Sequence, residues 1–204
     1  MIDFNLYVIT NRHLCHPTPL LTVVSDIIQS GVKAIQVREK DLDSKALYKL
    51  ASPISELCRS NNVSLYINTN IQVAIDIGAV GVHLPDIDSS VDELMNPFNA
   101  ELQIGCSIHG IDTAKKRELE GANFLTYSPI YSVKNKPQSR AVGIDNLGTL
   151  VRQVALPVYA LGGITPINVK ECMGIGAAGV AVMSGIMSPT LSADRASEYL
   201  GVLE

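Results

Sequence analysis

Short apolar runs alternate along the chain with segments in which apolar residues recur every three or four positions. Eight of these runs, rich in Val, Ile, Leu and Tyr, are predicted to be β-strands. They are Leu6–Thr10, Ala34–Arg38, Ser64–Asn68, Gly81–Leu84, Leu102–Ser107, Phe124–Ser128, Val158–Leu161 and Gly179–Met183. The intervening segments predict amphipathic helices, most clearly where Leu47, Leu50 and Ile54 share one helical face. Pro53 lies inside that segment and is expected to kink or break the helix.

Strands that alternate with helices predict a parallel sheet, because parallel neighbours need a crossover connection. Eight such units in 204 residues predict a compact (β/α)8 TIM barrel that occupies residues 1–204 as a single domain. The alternative is a doubly wound open sheet, which usually has a glycine-rich phosphate loop after its first strand. The segment after the first predicted strand, TNRHLCHP, contains no glycine, and this favours the barrel.

The composition fits a fold whose strands are covered on both faces, since 47% of residues are apolar and 18% are charged. The net charge of −4 and the aromatic content of 5% argue against a nucleic-acid partner. The N-terminus lacks the basic region of a signal peptide, and no apolar run reaches the ~18 residues of a membrane span. We therefore expect a cytoplasmic protein with no membrane partner.

The four cysteines are far apart in the sequence, which predicts free thiols in a reducing compartment. They are Cys15, Cys58, Cys106 and Cys172. One of them belongs to the stretch HLCH, residues 13–16, whose residue types can bind metals. Because no second Cys/His pair accompanies this stretch, an ordinary loop is the favoured interpretation.

In a (β/α)8 barrel the active site collects at the carboxyl ends of the strands, so the residues there carry the functional argument. The second strand ends with Gln36, Arg38 and Lys40 at every second position, which puts all three side chains on one side. Two cations above an amide suit a phosphate or pyrophosphate. The alternative is that the cations are solvent charges paired with Glu39 or Asp41.

The third and fourth strands end in residues that suit a ring or a metal. Asn68 is a candidate hydrogen-bond partner for a substrate ring or hydroxyl, although Asn also forms turns before helices. Asp86 and Asp88 are candidate ligands for Mg²⁺. Alternatively, Asp88 caps a helix that begins at Ser89–Ser90. His83, inside the fourth strand, is expected to be a hydrogen-bonded core histidine.

The fifth and sixth strands supply candidates for proton transfer and anion binding. Ser107 and His109 alternate onto one side, and His109 is a candidate acid or base, the alternative being a surface histidine. The sixth strand is followed by the longest irregular stretch, which carries Lys134, Lys136 and Arg140. Long loops in compact barrels often bind ligands, and Lys136 is predicted to reach a substrate anion.

The last two strands end in the glycine-containing sequences ALGGIT and AVMSGI. Glycines let backbone N–H groups approach a ligand, and a helix N-terminus favours an anion. The loops after strands seven and eight form the usual phosphate site of (β/α)8 enzymes. The predicted phosphate cradle therefore consists of Gly162, Gly163, Ser184, Gly185 and the amide of Ile186.

Together these stretches resemble the thiamin phosphate synthase/TenI family. The matching sequences are LYVITNR, IQVREK, YINTN, GAVGVHLPDID, IGCSIH, YSPIY with KNKP, VYALGGITPINV and GAAGVAVMSGI, and they cover nearly the whole chain. The resemblance implies a (β/α)8 barrel that binds a thiazole phosphate on its last two loops. It also implies a small protein that is often a homodimer.

One activity of the family is thiamin phosphate synthesis, in which Mg²⁺ neutralises the pyrophosphate that leaves a pyrimidine diphosphate. The residues that the resemblance implies for it are Gln36, Arg38, Lys40 and Lys136 for the pyrophosphate, Asn68 for the pyrimidine or phosphate, and Asp88 for Mg²⁺. This chain departs from the synthase pattern at Thr69, where a metal-binding aspartate is expected. It departs again at Val133 and Asn135, where threonines are expected.

TenI-like members lack the metal aspartate, and their known activity is a proton shift that converts a non-aromatic thiazole phosphate carboxylate into its aromatic isomer. SIH and the stretch from YSPIY to AVG resemble this branch more closely, although Pro129 stands where some members have a histidine. This thiazole tautomerase is the favoured prediction, with no cofactor and with His109 or Lys136 as acid and base. Arg38 and Lys40 would hold the substrate carboxylate.

Two alternatives stay open at the level of the sequence. The first is a Mg²⁺-dependent thiamin phosphate synthase, a transferase. The second is a phosphate-binding regulatory module that has the same barrel and the same cradle but catalyses neither reaction.

Overall fold

The computed structural model describes residues 2–98, 100–133 and 140–204. Its strands are β1 Leu6–Ile9, β2 Ala34–Val37, β3 Ser64–Asn68, β4 Gly81–Leu84, β5 Gln103–Ile108, β6 Phe124–Tyr127, β7 Val158–Leu161 and β8 Gly179–Val182. Its α-helices are α1 Leu20–Gln29, α2 Ser44–Ser60, α3 Ile71–Asp76, α4 Val91–Met95, α5 Ile111–Leu119, α6 Ile144–Val151, α7 Pro166–Gly174 and α8 Ser192–Leu203. A short 3-10 helix, Arg12–Leu14, follows β1.

The eight strands form a closed barrel in sequence order, and every neighbouring pair is parallel. Closure is completed by pairing of β1 with β8, where Val8 lies opposite Val182. The predicted (β/α)8 TIM barrel is therefore confirmed. The predicted interruption of α2 at Pro53 is wrong, because the helix continues through it. Burial of Leu47 and Ile54 against the barrel offsets the hydrogen bond that proline cannot make.

Two apolar regions stabilise the barrel. One lies between the strands and the surrounding helices, and the other lies in the interior of the barrel. The inner one is aromatic: Phe4, Tyr7, Tyr66, Phe124 and Tyr159 are buried with ring centroids 5.0–6.3 Å apart. Phe4 precedes β1, so this aromatic cluster fills the amino end of the barrel. The carboxyl end is left for polar side chains.

The cysteines and the helices agree with the sequence analysis on two further points. All four cysteines are buried and free. Among the described residues, no helix is both long enough and apolar enough to cross a membrane.

Candidate active site at the carboxyl ends of the strands

The carboxyl ends of all eight strands lie at one end of the barrel, because the strands are parallel and the sheet is closed. This places Arg38, which follows β2, at the same end as Gly163 and Ser184, which follow β7 and β8. It also brings Asn68 and His109 to that end. Lys136 lies outside the described residues. We call this end of the barrel the mouth.

Gln36 and Arg38 point towards the barrel interior, as the alternation predicts. Gln36 is 1% exposed, and its Nε2 donates a hydrogen bond to Tyr7 Oη at 3.1 Å. Arg38 is half-buried, and burial lowers the pKa of its guanidinium. Its positive charge also lowers the pKa of the buried His83. Arg38 is therefore partly withdrawn from solvent, and it also interacts electrostatically with Glu39.

Lys40 is exposed and lies beside the loop that follows β3. It lines a cavity of about 580 Å³ together with Asn68, Thr69 and Asn70. Asn68 Nδ2 donates to Thr69 Oγ1 at 2.8 Å, and Thr69 has a left-handed φ of 67°. Asn70, rather than Asn68, caps α3 by accepting the N–H of Val73 at 3.0 Å. Asn68 therefore does not cap α3, but its backbone oxygen accepts the N–H of Asn70 at 2.7 Å in the turn before that helix, as the alternative interpretation expects.

His83 connects opposite sides of the barrel interior through hydrogen bonds. Its Nε2 lies 3.1 Å from Ser107 Oγ and 3.2 Å from Thr126 Oγ1, and its Nδ1 lies 3.4 Å from Tyr7 Oη. Burial, with a further contribution from the charge of Arg38, lowers the pKa of His83 to about 3. The expectation of a hydrogen-bonded core histidine is confirmed. Sequence reasoning missed Tyr7 and Thr126, although strand alternation places both side chains inside the barrel.

The depressed pKa of His83 predicts acid-sensitive stability. In the unfolded chain this side chain takes up a proton near its ordinary pKa of 6.5, whereas in the folded chain it stays neutral down to about pH 3. Its contribution is therefore complete above pH 6.5 and is lost as the pH falls from 6.5 towards 3, by up to ~1.4 kcal/mol per pH unit. Urea unfolding between pH 7 and pH 4.5 is expected to show a shallower loss of stability in His83→Gln. Equal pH slopes for the two proteins would contradict this assignment.

His109 is exposed at the mouth and has a defined tautomer. Its Nδ1 lies 2.7 Å from the backbone oxygen of Ser128, just after β6. A carbonyl oxygen only accepts hydrogen bonds, so Nδ1 carries the proton and donates it. In the neutral imidazole Nε2 then has the free lone pair. The side chain can therefore accept a proton at Nε2 while its ring is held by Ser128.

The loop between β4 and α4 carries the two acidic candidates. Asp86 is half-buried and Asp88 is exposed. The proposed alternative that Asp88 caps the helix is wrong, because Ser90 is the N-cap of α4. Ser90 Oγ accepts the N–H of Glu93 at 3.1 Å, and the Glu93 carboxylate accepts the N–H of Ser90 at 2.9 Å. This reciprocal pair leaves no capping role for Asp88.

Helix α5 holds the same loop by its backbone. Arg117 is fully buried, and it donates from Nη2 to the oxygen of Ile87 at 2.5 Å and from Nη1 to that of Ser89 at 2.8 Å. Lys116 Nζ donates to the oxygen of Asp88 at 2.9 Å. Three consecutive carbonyl groups are therefore bound by cations of one helix. We call this set the α5 clamp.

The donor set does not fit the metal site that the resemblance to a synthase implies. The described part of the chain has no group of three or more His, Cys, Asp or Glu side chains that could hold a metal ion. Thr69 supplies a neutral hydroxyl, already bound by Asn68, where a second carboxylate is expected. At HLCH, His13 instead lies 3.3 Å from Asp41, and Cys15 is buried.

The loop after β7 has a backbone that requires glycine. Gly162 and Gly163 have φ values of 95° and 68°. A Cβ at Gly162 would lie 2.8 Å from Pro129 Cα, and one at Gly163 would lie 2.9 Å from the oxygen of Ser132. The N–H of Tyr131 donates to the oxygen of Gly162 at 3.0 Å. This loop is therefore packed tightly against the segment that follows β6.

The backbone N–H groups of Gly163, Ser184 and Gly185 donate no hydrogen bond to any described residue. These half-buried or exposed N–H groups are open to a ligand, and an anion at the mouth would accept their hydrogen bonds. Ile186 differs from the prediction, because its N–H already donates to the oxygen of Met183 at 3.1 Å and the residue is buried. This N–H is therefore bonded within the turn after β8, and it is not available to an anion, although the sequence analysis predicts that it is.

Comparisons with known proteins cover almost the whole chain. The family model described as thiamine monophosphate synthase matches residues 6–186. A putative thiamine-phosphate synthase of Geobacter sulfurreducens is 36% identical over 99% of this chain and 95% of its own length. The thiamine-phosphate synthase of Caldanaerobacter subterraneus subsp. tengcongensis is 30% identical over 95% of this chain and 91% of its own. A solved thiamine phosphate pyrophosphorylase from Pyrococcus furiosus is 27% identical, with a TM-score of 0.89 over 98% of this chain and 95% of that one.

Proposed function

The chain belongs to the thiamine monophosphate synthase family, and we propose that it is an enzyme that binds a thiazole phosphate and isomerises it without a metal ion. The reaction is the proton shift of the TenI-like branch, which converts a non-aromatic thiazole phosphate carboxylate into the aromatic isomer. The observation that carries this choice is Thr69. A neutral hydroxyl occupies the position of one of two metal carboxylates, and it is engaged with Asn68.

The two reactions of the family differ in how much negative charge the site must neutralise. A leaving diphosphate needs strong neutralisation, and Mg²⁺ binds it through carboxylates and phosphate oxygens. A proton shift within one ring needs only a base that takes a proton and an acid that returns one. The mouth supplies a histidine with a free ring nitrogen, His109, but a depleted set of carboxylates.

In the proposed complex the phosphate lies against the loops that follow β7 and β8, at Gly162, Gly163, Ser184 and Gly185. The support is that three amides there have no described acceptor and that the glycine backbone leaves no room for side chains. β1 lies between β8 and β2, so Arg38 lies across β1 from the phosphate loops. From there it binds the substrate carboxylate, with Lys40 beside it. An Arg fork suits a carboxylate because it can donate two parallel hydrogen bonds.

Proton transfer is assigned to His109. Its Nε2 takes a proton from one atom of the substrate ring, which makes the side chain an imidazolium. The imidazolium then returns a proton to the substrate atom that carries it in the aromatic isomer. Donation from Nδ1 to the Ser128 oxygen keeps the ring oriented in both steps. Gln36, held by Tyr7, and Ser107, held by His83, form the polar floor beneath the substrate ring.

The second candidate is the synthase reaction, and the names of the relatives favour it. Proteins 30–36% identical to this chain are called thiamine-phosphate synthase or its putative form. In that reaction Asp88 would be the remaining carboxylate for Mg²⁺. The two candidates differ in product and in metal dependence, so one variant separates them.

The variant Thr69→Asp is expected to raise Mg²⁺-dependent formation of thiamine phosphate by about tenfold or more, because it restores the missing carboxylate. Asp tolerates the left-handed backbone of Thr69, so the fold should be preserved. Thr69→Asn is the matched control, since Asn accepts the same backbone and adds no charge. Product formation is measured by chromatography, with the two precursors and with Mg²⁺ or EDTA. Ordinary Mg²⁺-dependent turnover by the unmodified protein would overturn the proposal in favour of the synthase.

A further inference from the structure

Glu39 is buried although it stands between two cations. Its side chain is 2% exposed, whereas Lys40 is exposed and Arg38 is half-buried. The Glu39 carboxylate accepts hydrogen bonds from Thr10 Oγ1 at 2.7 Å, from the backbone N–H of Arg12 at 3.1 Å and from Arg12 Nη1 at 3.0 Å. A buried carboxylate needs such donors. All of them come from the segment that follows β1.

Thr10 connects this carboxylate to the backbone of Arg38. Thr10 Oγ1 donates to Glu39 and accepts the backbone N–H of Arg38 at 3.1 Å. The N–H of Thr10 donates to the oxygen of Gln36 at 2.9 Å. Thr10 itself is fully buried. Thr10, which is bound to Glu39, therefore holds the end of β2 on both sides of Val37.

Arg12 binds the acids on either side of Lys40, and these acids match its charge. Its Nη1 is 3.0 Å from Glu39 Oε2 and 2.7 Å from Asp41 Oδ1, and its Nη2 also contacts Asp41. Two carboxylates around one guanidinium leave no surplus positive charge for an anionic ligand there. Arg38 differs, because its charge reaches the barrel interior and lowers the pKa of His83.

We propose that Thr10, Arg12 and Glu39, which we call the Glu39 clamp, are positioning residues that aim Arg38 and Lys40 at the substrate carboxylate. Glu39 lines the cavity beside Lys40, but its carboxylate is bound by Thr10 and Arg12, and the clamp acts through the backbone around Glu39. The acids at positions 39 and 41 bind the β1 segment, and the cations at positions 38 and 40 are turned to the ligand side. This inference rests on the proposed function, which assigns the carboxylate to those two cations.

The test compares the carboxylate-bearing substrate with thiazole phosphate, which keeps the phosphate but lacks the carboxylate. Glu39→Gln is expected to raise KM for the carboxylate-bearing substrate by about tenfold, the scale of one weakened charge-assisted contact, with a smaller change in kcat. The dissociation constant of thiazole phosphate without the carboxylate is expected to change by less than about twofold. A general loss of structure would weaken both ligands together. Glu56→Gln, the same chemical change on the exposed face of α2, is the control and should alter neither constant.

Two further variants keep the proposal testable if Glu39→Gln folds poorly. Thr10→Val removes the hydroxyl link and is expected to reproduce the selective rise in KM, whereas Thr10→Ser should restore the unmodified value. In an Arg38→Ala/Lys40→Ala background, Glu39→Gln should add little, because the clamp acts through these two cations.

Each failure of this test has a separate meaning. A full additional effect of Glu39→Gln in the Arg38→Ala/Lys40→Ala background would overturn the clamp. If Arg38→Ala raises KM but the clamp variants leave it unchanged, the clamp is wrong and the proposed function stands. If Arg38→Ala itself leaves KM unchanged, the assigned carboxylate site is wrong and the clamp fails with it.

Discussion

Replacement of His109 by alanine is expected to lower kcat of thiazole phosphate isomerisation by about 10²–10⁴-fold, the usual contribution of a general acid–base group. Among the described residues at the mouth, His109 has an exposed side chain, a free ring nitrogen and an orientation fixed by its hydrogen bond. Its removal takes away proton transfer but leaves the phosphate loops and Arg38 in place. KM should therefore change far less than kcat. Steady-state kinetics, followed by the ultraviolet absorbance of the isomerising thiazole, measures both constants.

His109→Gln is the informative control for this prediction. A glutamine can still donate a hydrogen bond to the Ser128 oxygen, so it retains the orienting contact without supplying a base. We expect it to be as inactive as the alanine variant. Substantial activity in His109→Gln would show that proton transfer belongs to another residue, and Lys136 would then be the first to test.

Replacement of Arg117 by alanine is expected to lower the free energy of unfolding by about 3–5 kcal/mol, as happens when one partner of a buried ion pair is removed. The guanidinium is fully buried and binds the Glu120 carboxylate at 2.8 Å as well as the oxygens of Ile87 and Ser89. Its loss leaves the oxygens of Ile87 and Ser89 without this donor and removes the cation that faces the Glu120 carboxylate. Urea denaturation followed by circular dichroism measures the change.

Lys116→Ala provides the matched comparison for Arg117. It removes a cation from the same α5 clamp, but the Lys116 side chain is 48% exposed and its contact with Glu120 is 3.8 Å long. Water can replace this contact, so the expected loss is below about 1 kcal/mol. Similar losses for the two variants would contradict the idea that burial makes Arg117 the anchor of the β4–α4 loop.

The barrel was predictable because its strands are short apolar runs and its helices fill the spaces between them. Alternation along the second strand also predicts that Gln36 and Arg38 share one side of the strand, since the period of a strand is two residues. The glycine-containing sequence after the seventh strand identified Gly162 and Gly163, whose left-handed backbone is a local property that glycine reveals in the sequence.

Residues whose roles depend on distant partners were not predictable from the sequence. The sequence indicates Glu39 only as a partner of the neighbouring cations in the alternative interpretation, because its donors lie 27 to 29 positions earlier, after β1. Arg117 was overlooked for the same reason, since Ile87 and Ser89 belong to another βα unit. The amide of Ile186 was assigned to the anion because the sequence does not show which N–H groups a turn uses internally. In each case a tertiary contact decides the role.

The measurement that tests the central claim most directly is proton NMR of the thiazole phosphate carboxylate, incubated with the unmodified protein and EDTA in deuterated water. The account predicts conversion to the aromatic isomer well above the uncatalysed rate, with solvent deuterium in the product because His109 is exposed to water. The same incubation with His109→Gln should stay at the uncatalysed rate. No conversion by the unmodified protein, together with thiamine phosphate formation when Mg²⁺ and the pyrimidine diphosphate are supplied, would contradict the account.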